Sequence, residues 1–289
     1  MRVRSLFDSR YEILHPIGVG GMAEVYAARD QHLGRSVAIK ILRGDCTPET
    51  AAPERMRREA MALAMIDSPH VVSIHDLGET PEGPYLVLQL VHGMTVAEEV
   101  ERFGPMATDR ACRLALDVLA GLAAMHGNGL VHRDLKPTNI MLDRDDRAVL
   151  LDLGVALHRR RRPLTPPGMC AGTLEHMAPE HREGMLLDAR SDLYQLGLVI
   201  AFVVTGAMHD AQLGELPTSI RANIPSELQT IVDRALAPVA ERYATAFSMQ
   251  RDLESIIDSY APRTNRPEVR TQRPRWPWSI LRGGAAGTV

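Results

Sequence analysis

The sequence predicts an α+β protein in two unequal parts, a small antiparallel β-sheet with one helix and then a mostly helical region. Two observations predict this division. Short apolar segments rich in β-branched residues, separated by glycine and proline, dominate up to about residue 91. From about residue 92 to 260, apolar residues recur at the spacing of amphipathic helices.

Composition limits the function classes. With 289 residues, of which 45% are hydrophobic and 24% charged, the chain is typical of soluble globular proteins. A formal net charge of −3 provides no overall basic field and argues against a nucleic-acid partner. Three scattered cysteines favour a reducing, cytoplasmic environment over a disulfide framework or a zinc site. No apolar run is long enough for a transmembrane span, and residues 1–10 lack a signal-peptide pattern.

The first strands surround a glycine-rich turn. Residues 1–10 are predicted to form a loose lead-in, and residues 11–14 alternate like a strand. The glycine-rich segment 18–26 follows, and its glycines would let backbone N–H groups approach a phosphate closely. Glycines in a hairpin more often form only a turn, so phosphate binding and a plain hairpin both remain open at this point.

Three further strands complete the predicted sheet, and a helix lies between the first and the second of them. A strand over 37–42 carries Lys40 in its middle, and a buried lysine without a partner is costly. A helix over 53–66 follows, with a proline near its start and apolar residues on one side. Residues 71–77 and 85–91 are predicted as two more strands.

The second part is predicted to be helical. Amphipathic helices are expected over 95–103 and 108–126, and an apolar helix is expected to end near residue 205. Residues 225–236 and 245–260 are predicted as the closing helices. The tail at 261–289 is rich in proline and arginine, which predicts a disordered basic segment. Its Trp276 and Trp278 beside basic residues suit peripheral contact with a membrane surface.

One stretch, residues 131–142, carries the densest chemistry. It places Asp134, Lys136 and Asn139 within six residues of one another, between apolar runs. Asp152 follows at the end of a second apolar segment. Two apolar segments that each deliver a carboxylate or an amide to one place suit a magnesium ion, which prefers oxygen ligands and often binds substrate phosphates.

The use of lysine supports this prediction. Lys40 and Lys136 are the only lysines among 33 basic residues; the chain uses arginine everywhere else. A compact ammonium group can sit beside a phosphate as a point charge, whereas a planar guanidinium favours bidentate geometry. We therefore expect both lysines to serve the same phosphate-binding site.

Together these segments resemble the bacterial, eukaryotic-like Ser/Thr protein kinases. The matching motifs are Gly-Val-Gly-Gly-Met-Ala at 18–23, Val-Ala-Ile-Lys at 37–40, His-Arg-Asp-Leu-Lys-Pro-Thr-Asn at 132–139, Asp-Leu-Gly at 152–154 and Ala-Pro-Glu at 178–180. The resemblance implies a two-lobed protein kinase fold over residues 11–260. The N-lobe would cover about 11–91 and the C-lobe about 92–260.

The resemblance implies that the protein binds ATP and Mg²⁺. Asp134 would accept the proton of the attacking hydroxyl, Lys136 would neutralise the transferring phosphoryl group, and Lys40 would contact the ATP phosphates. Asn139 and Asp152 would hold the metal. The implied ATP-binding positions are Ile17, Gly18, Val19, Gly20, Gly21, Met22, Ala23, Glu24, Val25, Lys40, Glu59, Gln89, Val91 and Met141.

Other residues have structural roles in the resembling family. Asp192 would brace the catalytic stretch, and Glu180 would pair with Arg242. The chain also departs from the family pattern: His176 stands where a tyrosine is usual, and the connection 206–225 is about half the usual length. An extra helix in that connection is predicted to be lost or reduced to one turn.

The function expected from the resemblance is transfer of the ATP γ-phosphate to a Ser or Thr hydroxyl of a protein. Self-phosphorylation is expected within residues 155–170, with Thr165 as a candidate acceptor and Arg133 as the partner of its phosphate. Two alternatives remain: a pseudokinase that binds nucleotide and signals by conformation, and a small-molecule kinase with the same fold.

Overall fold

The computed structural model describes residues 5–19, 23–42, 60–81, 83–151, 176–208 and 216–260. The predicted features that lie outside these residues are Gly20, Gly21, Met22, the part of the helix at 53–59 with Glu59, Asp152, the segment 155–170 with Thr165, and the tail at 261–289.

The first part of the chain forms an antiparallel sheet of six strands in the order β1-β2-β3-β4-β6-β5. The strands are β1 (Leu6–Phe7), β2 (Tyr11–Val19), β3 (Ala23–Asp30), β4 (Arg35–Leu42), β5 (Ile74–Thr80) and β6 (Gly83–Gln89). Residues 60–64 are helical and belong to the predicted helix before β5. The last two strands are shifted by two or three residues from the predicted 71–77 and 85–91.

The prediction of a loose lead-in over residues 1–10 is wrong for β1, which pairs with β2. Phe7 is buried and meets Tyr85 edge to face, with ring centroids 4.8 Å apart. Arg10 donates hydrogen bonds of 2.8 Å to both Asp30 and Asp76. A buried ring and an ion pair therefore attach this segment to the sheet. Neither contact could be predicted from the local sequence, because a strand of two residues is too short to show a pattern.

Asp30 is the buried partner in that ion pair. Its side chain is fully buried and also accepts the backbone N–H groups of His32 and Leu33. Hydrogen bonds from Arg10 lower the pKa of Asp30 to about 2, although burial acts in the opposite direction. The carboxylate is thus held ionised inside the sheet by its partners.

The two faces of the sheet differ in character. One face carries an apolar cluster of Phe7, Tyr11, Ile13, Tyr26, Ala28, Val37, Ile39, Ile41, Tyr85 and Val87. Lys40 is paired with Val25 on β3 and with Leu86 on β6. Because side chains alternate along a strand, Lys40 lies on the face opposite to the cluster that contains Ile39 and Ile41. Lys40 therefore projects from the other face of the sheet.

The second part is mainly helical. Its helices are α1 (Val96–Phe103), α2 (Thr108–Gly127), α3 (Pro179–Arg182), α4 (Ala189–Thr205), α5 (Thr218–Arg221), α6 (Ser226–Leu236) and α7 (Ala246–Tyr260). A second sheet contains β7 (Gly93–Thr95), β8 (Ile140–Asp143) and β9 (Ala148–Leu150), and a 3₁₀ turn, Pro137–Asn139, precedes β8. The predicted helices agree with these bounds to within one residue for the segments 95–103, 108–126, 225–236 and 245–260.

Helix α4 is the central element of this part. Every residue from Ser191 to Val204 is buried, and the helix packs against α2 and α6. It begins with Asp188, whose side chain accepts the N–H of Arg190, and ends at Gly206 in the left-handed conformation. Helix α5 is a single turn, as predicted for the described part of the short connection.

Among the described residues, no helix combines the length and apolar character needed to cross a membrane.

Candidate active site

Three sequence-predicted site residues meet in the loop between α2 and β8. The Asp134 Oδ2 atom lies 2.9 Å from Lys136 Nζ and accepts a 3.0 Å hydrogen bond from Asn139 Nδ2. The same amide nitrogen donates to the main-chain carbonyl of Asp134 at 2.8 Å. The carboxylate of Asp134 remains 34% exposed, so it is accessible to an incoming hydroxyl group.

The local sequence explains how Asn139 returns to Asp134. Pro137 begins a 3₁₀ turn, where its fixed φ and missing N–H are tolerated. The N–H of Asn139 then donates to the carbonyl of Lys136 at 2.9 Å, which closes the turn. The chain continues directly into β8, so the turn places the Asn139 side chain beside the aspartate five residues earlier.

Helix α4 holds the backbone before Asp134. The Asp192 carboxylate accepts the N–H of His132 at 2.9 Å and the N–H of Arg133 at 2.7 Å. His126 Nε2 lies 2.8 Å from the same carboxylate. Asp192 is fully buried, and three polar partners offset the cost of burying its charge. This arrangement agrees with the bracing role predicted for Asp192.

Gln195, which the sequence reasoning missed, holds the backbone on the other side of Asp134. Its Oε1 accepts the N–H of Leu135 at 3.1 Å. Its Nε2 lies 3.2 Å from the carbonyl of Arg133 and 3.1 Å from the carbonyl of His176. The sequence does contain a signal, because an amide within the apolar run of a buried helix must find polar partners.

Arg133 has an unusual backbone conformation, with φ at 74°. For a residue other than glycine, this positive φ costs about 1–3 kcal/mol. Such a conformation persists only when the surrounding structure imposes it. Asp192 bonds the N–H of Arg133, and Gln195 bonds its carbonyl. The strained residue directly before Asp134 is thus held at both of its main-chain polar groups.

The loop also contacts the strand that leads toward Asp152. The N–H of Leu151 donates to the carbonyl of Asn139 at 2.8 Å, and His132 Nε2 lies 3.1 Å from the carbonyl of Leu151. Leu151 is the last described residue before Asp152, which itself lies outside the described residues. Among those that are described, no three His, Cys, Asp or Glu side chains cluster as a metal site.

Asn139 fits the role of a magnesium ligand. Its Nδ2 already donates twice to Asp134, so the carbonyl oxygen Oδ1 is the atom left for a cation. Magnesium prefers such hard oxygen ligands and is often held by only one or two protein groups together with substrate phosphates. Asn139 and Asp152 remain the predicted pair, and only Asn139 lies within the described part of the chain.

The nucleotide-binding predictions in the N-lobe fall on β2, β3 and β4. Gly18 pairs with Val25, and Val25 pairs in turn with Lys40, which connects the glycine-rich segment to the lysine across the sheet. The Glu24 carboxylate accepts a 2.7 Å hydrogen bond from the Tyr26 hydroxyl. Tyr26 belongs to the opposite face, so the Glu24 side chain is directed away from Lys40. The remaining predicted positions on these strands are Ile17, Val19 and Ala23.

Three more predicted positions lie at the junction of the two parts. Gln89 ends β6, and its N–H donates to the carbonyl of Ser73 at 2.9 Å. Val91 follows in the link and packs against the main core of the helical part. Met141 on β8 is half-buried, on the face opposite to the buried Leu142.

A buried ion pair supports α3, which follows the segment at 176–178. Arg242 donates to both oxygens of Glu180, at 2.7 and 3.1 Å, and the hydroxyl of Ser191 donates to the same carboxylate at 2.7 Å. Burial alone would raise the pKa of Glu180, but the hydrogen bonds from Arg242 and Ser191 outweigh it and hold that pKa below its usual value. The predicted pair of Glu180 and Arg242 is therefore present.

Comparison with known proteins identifies the family to which this chain belongs. The protein kinase domain family matches residues 11–261. The Ser/Thr-protein kinase PknB of Mycolicibacterium smegmatis is 36% identical over 93% of this chain and 46% of its own length. The Ser/Thr-protein kinase PrkC of Bacillus subtilis is 35% identical over 90% of this chain and 42% of its own length. The chain thus spans about half the length of these curated relatives.

Solved structures confirm the predicted fold. The kinase domain of Mycobacterium tuberculosis PknI superposes with a TM-score of 0.72 and 24% identity, over 88% of this chain and 98% of that one. Its agreement extends over both the sheet-rich and the helical part. On the family match and the identity to these relatives, the chain belongs to the protein kinase domain family.

Proposed function

We propose that this protein is a Ser/Thr protein kinase that transfers the γ-phosphate of ATP to a protein hydroxyl. The observation that carries the proposal is the cluster of Asp134, Lys136 and Asn139, in which one carboxylate meets an ammonium group and an amide while it stays accessible. The relatives named above are Ser/Thr protein kinases, which supports the same activity for this chain. The kinase domain is proposed to cover residues 11–260.

The proposed reaction assigns a task to each residue. Asp134 accepts the proton of the Ser or Thr hydroxyl as its oxygen bonds to the γ-phosphorus, and the bond to ADP breaks. Lys136 offsets negative charge on the transferring group, and Lys40 binds the remaining phosphates. Asn139 and Asp152 would hold Mg²⁺, which would offset part of the negative charge of the ATP phosphates.

The type of acceptor residue, self-phosphorylation and the cellular compartment are proposed from features of the sequence. A lysine at the position of Lys136 accompanies Ser/Thr acceptors in the resembling family. Self-phosphorylation within 155–170 is proposed, with Thr165 as the acceptor beside a basic run at 158–162. The cytoplasm, which supplies ATP, is the proposed compartment. The basic tail at 261–289 is proposed to touch anionic membrane surfaces.

The decisive experiment compares the wild-type protein with Asp134→Asn in the presence of labelled ATP and Mg²⁺, with and without a generic protein acceptor. Loss of the general base should lower the transfer rate by about 10²–10⁴-fold while nucleotide affinity changes little. Asp145→Asn is the matched control, because Asp145 is 85% exposed and lies outside the cluster.

Equal rates for the wild type and Asp134→Asn would refute the role of Asp134. A wild-type protein that binds ATP but never transfers phosphate would instead support the pseudokinase alternative.

A further inference from the structure

We propose that Gln195 is a positioning residue for the transfer reaction. It joins the catalytic loop, the residues 128–139 between α2 and β8, to the chain entering α3. The inference rests on the proposed function and adds to it a residue outside the motifs that identify the family. It starts from one observation. A single buried amide reaches three main-chain groups in two separate segments, the catalytic loop and the carbonyl of His176.

The contacts of Gln195 bracket Asp134. Oε1 accepts the N–H of Leu135, directly after Asp134, and Nε2 reaches the carbonyl of Arg133, directly before it. Both peptide groups that flank the proposed base are therefore bonded to one side chain. Asp192, three residues earlier on the same face of α4, bonds the N–H groups further toward the start of the loop.

Burial makes these contacts difficult to replace. Gln195 is 2% exposed and Leu135 is fully buried, so water has little access to the groups that Gln195 satisfies. An unpaired buried N–H or carbonyl retains its full desolvation cost. Without the amide, the loop must move to find other partners. Arg133, whose strained backbone is held in part by Gln195, would then relax toward an unstrained conformation.

The third contact extends the effect beyond the loop. His176 is the first described residue after 152–175, and its carbonyl shares the Nε2 group of Gln195 with Arg133. The chain from His176 leads into α3, which the buried pair of Glu180 and Arg242 attaches to the helical core. The position of Asp134 is thereby linked to the position of the segment before α3.

Helix α4 is a rigid base for this link. The helix is buried along its length, and small Gly197 lets Ala235 of α6 approach closely. Side chains presented by such an element hold their targets more precisely than side chains on loops. Removal of the Gln195 amide should consequently disturb the turnover step rather than nucleotide binding, because its contacts lie in the helical part and not on the sheet that carries Lys40.

The test uses Gln195→Met in the full chain, which keeps a similar length and removes all three hydrogen bonds. We expect kcat for a peptide acceptor to fall at least tenfold, with the nucleotide Kd within about twofold of wild type. Amide exchange, followed by mass spectrometry, should accelerate in peptides that cover 130–137 and 176–184. Exchange in the hairpin at 140–150 should stay unchanged.

Val199→Ala is the matched control on the same helix. Val199 is fully buried, but its hydrocarbon side chain forms no hydrogen bond to the catalytic loop. Its truncation should therefore lower Tm and leave kcat within twofold. Gln195→Glu provides a second variant should the methionine protein fail to fold. It retains an acceptor for the N–H of Leu135 but places a carboxylate oxygen against the carbonyls of Arg133 and His176, so kcat should again fall at least tenfold.

The possible outcomes separate the inference from the proposed function. If Gln195→Met keeps wild-type kcat, or if Val199→Ala loses kcat equally at the same shift in Tm, the inference is overturned. If the wild-type protein transfers no phosphate at all, the proposed function fails. Unchanged exchange at 130–137 overturns the positioning role in either case.

Discussion

Lys40 and Asp134 are both proposed to serve one phosphoryl-transfer reaction, yet the molecule places them by different means. Lys40 lies on β4, which is paired with β3 through eight residues and with β6 through five. Asp134 lies in a loop whose adjoining N–H and carbonyl groups are bonded to the side chains of Asp192 and Gln195. Many main-chain hydrogen bonds hold β4 in the sheet, and none of them needs a particular side chain. The loop, in contrast, is held by the side chains of Asp192 and Gln195.

This difference has a consequence for substitutions. A main-chain ladder survives most changes of side chain, because every residue supplies the same donor and acceptor. A loop held by individual carboxylate and amide groups loses its geometry when one of them is removed. Substitutions of the buried polar side chains in the helical part should therefore reduce activity or stability strongly, and polar changes that leave the main-chain hydrogen bonds of the sheet intact should have smaller effects.

The largest expected effect is on stability, in Arg242→Met. The variant leaves the buried carboxylate of Glu180 without its ion-pair partner, and breaking a buried pair typically costs about 3–5 kcal/mol. Urea unfolding should show this loss. Arg221→Met is the control: it breaks the exposed pair with Asp233 and should cost less than about 1 kcal/mol. Equal losses in the two variants would contradict the prediction.

The next effect is on turnover, in Asp192→Asn. The two carboxylate oxygens of Asp192 bond the backbone N–H groups of His132 and Arg133 and the ring of His126. An asparagine has only one oxygen to accept these bonds, so the loop before Asp134 should shift. A displacement of this kind costs on the order of 100-fold in kcat. Steady-state kinetics with a peptide acceptor would measure it. Asp188→Asn at the start of the same helix should keep kcat; a similar loss there would show that the effect belongs to α4 as a whole.

A smaller effect concerns the pH dependence of the sheet. The hydrogen bonds from Arg10 hold the pKa of Asp30 at about 2, below its ordinary value. Stability from this pair is complete above the pKa of the unfolded chain, about 3.9, and disappears as the pH falls toward about 2. Urea midpoints of wild type and Asp30→Asn should therefore converge over that range. A constant difference between them at every pH would refute the assignment.

The smallest effect is expected for Tyr26→Phe, which removes a hydrogen bond to Glu24 in the sheet. The loss of one such bond costs about 0.5–1.5 kcal/mol. The KM for ATP should stay within about twofold, because both side chains lie on the face opposite to Lys40. Calorimetry and steady-state kinetics would measure the two quantities. A large increase in KM would show that the position of Lys40 depends on side chains across the sheet and contradict the prediction.

Much of the fold was predictable because its patterns are local. The sequence predicted the bounds of α1, α2, α6 and α7 to within one residue, and for α1 and α2 the signal was the amphipathic spacing of their apolar residues. Residues 137–139 and 140–143 place Asn139 between a turn and a strand, so a short motif was enough to bring Asn139 to Asp134. The strand that carries Lys40 was also visible as an apolar run with one cation.

Other features depend on partners far away in the chain. Strand β1 is only two residues long and exists because Phe7 finds Tyr85, which is 78 residues later. Gln195 is bonded to groups about 60 residues earlier, and nothing near it in sequence reveals which ones. The direction of the Glu24 side chain follows from the register of the sheet and the position of Tyr26.

The sequence by itself determined the type and order of the longer strands and helices, the cluster of Asp134, Lys136 and Asn139, and the family. These properties are encoded in periodicity and in short motifs, where the residues that interact are neighbours. Only the tertiary structure decided which buried groups hold the catalytic loop, and that Arg133 adopts a strained backbone there. The physical reason is that a buried polar group must find a partner, but folding chooses that partner from the whole chain.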